Sequence, residues 1–204
     1  MRADSLIILD FETTGLSPDQ GDRAIEIGAV KLEAGVVVDE FQALMNPGFR
    51  VTSFIEDYTG ISNGMLEQAA SCREVMSDFA DFIGNDNLIA HNASFDRRFL
   101  DAEFRRLGRQ YRGEFSCSLL LSRRIFQDAP SHSLGNLIEF INLSTGGDFH
   151  RALYDAQMTA KLWTAMLDNI GERYGLFDLS FEQIQMLSKT PKKGIDKRLT
   201  SWKH

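Results

Sequence analysis

The sequence predicts a layered α/β domain, a central mixed sheet flanked by helices. Strand-like runs crowd the first 45 residues, helix and strand patterns alternate after residue 70, and helical patterns alone follow residue 118. Strands followed by alternating helix and strand give a mixed sheet whose faces helices must cover.

Ser5–Phe11 is a short apolar run ending at an acidic pair and reads as a buried strand. Thr13 to Asp22 holds Gly15, Pro18 and Gly21 and reads as a loop. Ala24–Leu32 and Val36–Leu44 flank Ala34-Gly35 as a hairpin. Ser71 with Glu74 three residues on forms a capping box; Val75, Phe79, Phe82 and Ile83 follow at helical spacing, and Gly84 closes the helix. Asn87–Asn92 is another short strand, after which Ser94 caps a helix with Phe95, Phe99 and Ala102 on one face, stopping at Gly108. Shorter helices cover Leu119–Phe126 and Ser133–Ile141, and Arg151–Ile170 is the longest helical pattern. Ser180 to Gln183 starts one more. A boundary at 175–180 separates a domain of residues 1–175 from a C-terminal helix and basic tail at 176–204.

At 204 residues, 43% hydrophobic and 25% charged, the chain suits one sizeable core. Cys72 and Cys117 have neither zinc nor disulfide-framework spacing, which points to a reducing, cytoplasmic setting. The apolar run Leu6–Leu9 is too short for a signal peptide, and no run could span a bilayer. The net charge of −7 is unevenly spread: residues 189–204 hold Lys189, Lys192, Lys193, Lys197, Arg198 and Lys203 against Asp196, a net of +5, so residues 1–188 carry −12. A second basic cluster at 97–124 sets eight arginines against three acids. The acidic body argues against broad non-specific nucleic-acid binding and suits a site where bound cations meet a phosphate.

Asp10 and Glu12 lie two apart in a strand and therefore project to one face. Like charges so close repel and lose solvation, and a divalent ion relieves both; all-oxygen donors favour Mg²⁺ or Mn²⁺. A solvated strand end explains the pair equally well when it is taken alone. Asp96, in the first turn of its helix, is explained by the helix dipole. Asp155 is more telling, because Met158, Thr159 and Leu162 share its helix face and a carboxylate on that stripe needs a partner. His150 lies five residues earlier, about 140° around an ideal helix. The two converge only if His150 stands at or before the first turn.

The ordered set says more than its parts. Asp10-Phe11-Glu12-Thr13-Thr14-Gly15-Leu16, His91-Asn92-Ala93-Ser94-Phe95-Asp96 and His150-Arg151-Ala152-Leu153-Tyr154-Asp155 together resemble the three motifs of the DEDDh branch of the proofreading-exonuclease superfamily, over roughly residues 5–170. That branch includes the epsilon-type subunits of bacterial replicative polymerases. The resemblance implies an RNase H-like fold and a 3′→5′ exonuclease with two Mg²⁺ or Mn²⁺ ions. It implies that Asp10, Glu12 and Asp155 hold one metal, Asp10 also touches a second, and Asp96 supports the second through water. His150 would be the general base.

By the same resemblance, Thr13 and Leu16 cradle the terminal nucleotide, and Asn92 and Phe95 lie near the penultimate one. Tyr58-Thr59-Gly60-Ile61 is similar to a substrate-side turn in which some relatives carry histidine at the position of Thr59. His91, His132 and His204 read as structural or surface residues. The implied partners are DNA 3′ ends, with RNA 3′ ends as the alternative, and a DNA polymerase or sliding clamp; a non-catalytic binding module is disfavoured because all five catalytic positions are filled. Gln183-Ile184-Gln185-Met186-Leu187 faintly resembles a clamp-binding peptide but is read first as an amphipathic helix packed on the domain.

Overall fold

The computed structural model describes residues 1–143 and 151–203. Five strands form one sheet in the order β3-β2-β1-β4-β5. The strands are β1 (Leu6–Thr13), β2 (Ala24–Glu33), β3 (Val36–Leu44), β4 (Leu88–Ala90) and β5 (Phe115–Cys117). β1, β2 and β3 form an antiparallel meander, and β4 and β5 run parallel to β1, so the sheet is mixed. The three parallel strands β1, β4 and β5 therefore end along the same edge.

β1 is buried on both faces, and its alternation decides which layer each residue serves. Leu6 and Ile8 enter one core with Val30, Leu32, Trp163 and Met166. Ile7, Leu9 and Phe11 enter the other with Phe79, Ile83, Phe99 and Leu100. α3 (Cys72–Ile83) and α4 (Ser94–Leu107) cover the second face. The first is covered by α5 (Ser118–Ile125), α6 (Leu134–Phe140), α7 (Ala152–Tyr174), α8 (Phe181–Lys189) and α9 (Ile195–Thr200). Two short helices, α1 (Ser53–Thr59) and α2 (Asn63–Gln68), enclose a smaller cluster of Ile25, Val51, Ile55, Ile61 and Leu66.

Local chemistry accounts for most boundaries. Ser71 and Glu74 form the expected capping box, and Ser180 with Gln183 forms a second. Ser94 is not a cap: Ala93 holds that place without a side-chain hydrogen bond, and Ser94 is the first helical residue. The turn preceding it is made by Asn92, at φ 68°, a left-handed conformation asparagine tolerates. α7 runs past Ile170 to Tyr174 and ends at Gly175, φ 71°. Residues 176–203 do not trail away, because Phe181, Ile184, Leu187, Ile195 and Leu199 are all buried in the α7-side core. The helix reading of 183–187 is the one observed. With Ile184 and Leu187 facing inward, no extended peptide is offered to a clamp.

Candidate active site

Asp10 and Glu12 continue the even-numbered series of β1 beyond Leu6 and Ile8, so both carboxylates emerge toward α7 at the strand's end. Asp155, in the first turn of α7, meets them there. One carboxylate oxygen from each of Asp10, Glu12 and Asp155 lies within 4.8 Å of the others. Asp96 arrives from the opposite layer. β4 stops pairing with β1 at Ile8–Ile89, and the Phe11 N–H beyond that point donates to Asp96 Oδ1 at 3.2 Å. The acid that its sequence position assigned to a helix dipole is thus buried, 2% exposed, and bound to the backbone of the strand bearing Asp10 and Glu12.

Burial governs the electrostatics. Loss of solvation, then the charges of Asp155, Glu26 and Asp96, pushes Glu12 up to about 8. Asp10 is held well above its ordinary value by the same desolvation and by Asp96, Asp155 and Glu12 around it. Burial also raises Asp96, against the lowering effect of its backbone hydrogen bonds. Asp10, Glu12 and Asp155, crowded at this cost beside Asp96, form an all-oxygen donor set for a hard divalent cation.

Two residues that the sequence reading passed over hold α7 in place. In the β1–β2 register Glu12 faces Glu26 and Asp10 faces Gly28. Like charges directly opposite destabilise a sheet, and Glu26 is fully buried. It is neutralised by Arg151, whose Nη2 donates to Oε1 at 2.8 Å, and it accepts the Ala152 N–H at 3.1 Å, the first residue of α7. At Gly28 a Cβ would stand 2.0 Å from the Leu153 backbone nitrogen, so only glycine lets the helix approach this closely. Neither signal was visible without the register, since an apolar strand carrying Glu and Gly looks ordinary.

The remaining predicted residues divide. Leu16 is 76% exposed on the loop after β1, while Thr13 is buried with its hydroxyl donating to the Gly15 carbonyl. Asn92 is exposed and Phe95 half-buried against Phe99. Thr59 and Ile61 stand apart from these. Thr59 is buried and its hydroxyl is spent on Ile55 and Ile61 within the turn, and Ile61 is fully buried. They shape that turn and offer no surface to a ligand; Tyr58 and Phe54, stacked and exposed, are what it presents. His91 is structural as expected: its Nε2 faces the His132 carbonyl at 2.9 Å, which can only accept, so Nε2 carries the proton, and its Nδ1 lies 2.9 Å from the Ser118 hydroxyl. Burial lowers His91 to about 4 and keeps it neutral. His150 lies outside the described residues.

Residues 7–163 match the RNase_T exonuclease family. The chain belongs to the exonuclease family. Among its relatives, the DNA polymerase III subunit epsilon of Aquifex aeolicus is 30% identical over 175 residues, covering 85% of this chain and 86% of that protein. The PolC-type DNA polymerase III of Caldanaerobacter subterraneus is 37% identical over 166 residues, 81% of this chain. This chain spans only about an eighth of the length of such PolC relatives, 12% in that case. The solved structure of exonuclease X in complex with 5′ overhanging duplex DNA superposes with a TM-score of 0.71 at 26% identity, covering 90% of this chain and 99% of that one. The nuclease domain of 3′hExo, a DEDDh family member bound to rAMP, shares the fold at 21% identity and a TM-score of 0.67 over 81% of this chain and 92% of that domain. The RNase H-like architecture expected from the motifs is the one found, and no helix among the described residues is long and apolar enough to cross a membrane.

Proposed function

We propose that this exonuclease domain removes nucleoside monophosphates from the 3′ end of DNA, a single strand or a frayed end, using two Mg²⁺ or Mn²⁺ ions. The observation that carries the reading is the meeting of Asp10, Glu12 and Asp155 at one point, with Asp96 fixed to the same strand. Bound divalent ions would supply a reactive water at neutral pH and charge compensation for the leaving oxygen. Asp10, Glu12 and Asp155 would hold one ion, with Asp10 shared and Asp96 serving the second position through water. His150 accepts the proton of the attacking water, a task suited to an imidazole near neutrality. Leu16, standing clear of the fold, packs against the terminal base, with Thr13 shaping the loop beneath it. Asn92 and Phe95 face the penultimate nucleotide.

The choice of DNA rests on the polymerase relatives and on exonuclease X, whose complex holds duplex DNA. The same relatives support association with a DNA polymerase and a cytoplasmic location. The test is a parallel digestion of matched single-stranded DNA, mismatched-end duplex and RNA carrying a 5′ label, with Mg²⁺, Mn²⁺ or a chelator. Expected are 3′-shortened DNA ladders and free mononucleotides, abolished by the chelator. Preferential loss of the RNA would transfer the proposal to RNA 3′-end trimming, and nicking of a circular single strand would overturn it.

A further inference from the structure

The two basic clusters, far apart in sequence, meet in space. Arg124 Nε on α5 donates to the Thr190 carbonyl at 2.6 Å, and Gln127 Nε2 reaches the Lys192 carbonyl at 3.4 Å. These bonds seat the end of α8 and the Lys192–Gly194 turn beside α5. Between α4, β5 and α8 they leave a groove of about 410 Å³ lined by Ser94, Arg97, Glu114, Leu120, Gln185 and Lys189. It opens on the sheet edge where β1, β4 and β5 all end, two residues along α4 from Asp96. Strands lie about 4.8 Å apart, so β5, two strands away, runs roughly 10 Å from β1.

Charge is sorted along this groove. Its carboxylate, Glu114, accepts a hydrogen bond from Gln185 Nε2 at 3.2 Å. Among the described residues the ion pair of Arg97 is a long, exposed contact to Asp101 at 3.7 Å. Among the described residues Lys189, Lys192 and Lys193 are exposed and stand in no ion pair. Two other arginines of the cluster are engaged in ion pairs, Arg106 with Glu103 and Arg109 with Asp81. On a chain of net charge −7 a cationic strip beside the site selects for an anionic polymer.

We propose that this groove is the track for the nucleic-acid strand that feeds the site, its phosphates lying between Arg97 and Lys189 and continuing toward Lys192 and Lys193. The inference rests on the exonuclease reading. Ser94 begins the track and Leu120, 41% exposed, gives it an apolar floor for bases. It contacts phosphates and not base edges, so it adds affinity without sequence preference.

Deletion of the segment is a poor test, because Ile195 and Leu199 belong to the core. Substitutions serve better: Lys189→Ala with Lys192→Ala and Lys193→Ala, and separately Arg97→Ala. Binding of a labelled 12-nucleotide single strand to the full chain is measured in Ca²⁺ from about 50 to 200 mM salt, where each phosphate contact on single strands contributes a slope of about −0.7. The triple variant should flatten the slope by about 2, and Arg97→Ala by about 0.7. A control neutralising Arg50, Arg105 and Lys161 should leave it alone. Cleavage of the p-nitrophenyl ester of thymidine 5′-monophosphate, too small to reach the track, should be unchanged in every variant. Unchanged slopes, or an equal change in the control, overturn the track while ester cleavage leaves the exonuclease reading intact. Flattened slopes in a wild-type protein that cleaves nothing would sink the exonuclease reading and keep the nucleic-acid surface.

Discussion

Burial favours the protonated form of the carboxylates at the end of β1, and that makes the metal-free protein sensitive to pH in an unusual direction. Glu12 titrates near 8 in the fold against 4.5 when free. Between those values the folded state binds more protons than the unfolded one, so stability falls as pH rises through the window. Asp10 and Asp96, also raised, act in the same sense. In chelator the melting temperature of the wild type should therefore drop relative to Glu12→Gln between about pH 5 and 8, and Mn²⁺ should restore more stability at pH 8 than at pH 5. A wild-type curve parallel to that of Glu12→Gln would remove the burial argument. Asp10→Asn should separate the two properties, raising the metal-free melting temperature at pH 8 while turnover falls at least 10³-fold, on the order of 4 kcal/mol in the barrier. Retention of a tenth of the activity would sink the assignment of Asp10 to the metals.

At the scale of elements, the site depends on how α7 is seated on β2. Asp155 reaches the cluster only because its helix begins against Gly28 and is clasped by Glu26 through Arg151 and the Ala152 N–H. Gly28→Ala forces a methyl group into the Leu153 backbone, which cannot swing aside as a side chain could. The expected cost is about 3 kcal/mol, the upper part of the range for overpacking, with Mn²⁺ binding by calorimetry weakened at least tenfold. Glu26→Gln keeps the shape and leaves Arg151 without its charge partner. Because Arg151 is 40% exposed, the loss should be only about 1–2 kcal/mol. A Gly28→Ala protein that melts and binds Mn²⁺ like the wild type would show that this close approach positions nothing.

For the whole molecule, residues 176–203 are a structural layer as well as a source of positive charge. Truncation after Gly175 removes Leu179, Phe181, Ile184, Leu187, Ile195 and Leu199 from the core. At roughly 1.5–3 kcal/mol for each buried side chain, the loss rivals the total stability of a domain, about 5–15 kcal/mol. Residues 1–175 alone should show no cooperative melt by circular dichroism and rapid proteolysis. A sharp transition within a few degrees of the full chain would instead mark 175 as a domain boundary.

Much of this architecture was legible because it is encoded locally. The apolar alternation of β1 fixes Asp10 and Glu12 to one face, the boxes at Ser71–Glu74 and Ser180–Gln183 start helices through bonds spanning three residues, and the motif order carries the family. Short elements were not legible: α1 and α2, despite Thr52 and Ser62 caps, and the three-residue β5 take their stability from what they pack against. The true end of α7 was not legible either, since the helix continues through Gly171 to Tyr174. Residue type and spacing thus determined which side chains can do chemistry. Tertiary structure alone decided that Asp96 binds the backbone of β1, that Glu26 and Gly28 seat α7, that Thr59 and Ile61 turn inward, and that two distant basic runs share one groove. The physical reason is that strand register and layer packing bring together residues far apart in the chain, 126 positions in the case of Glu26 and Ala152, and no local pattern reports that distance.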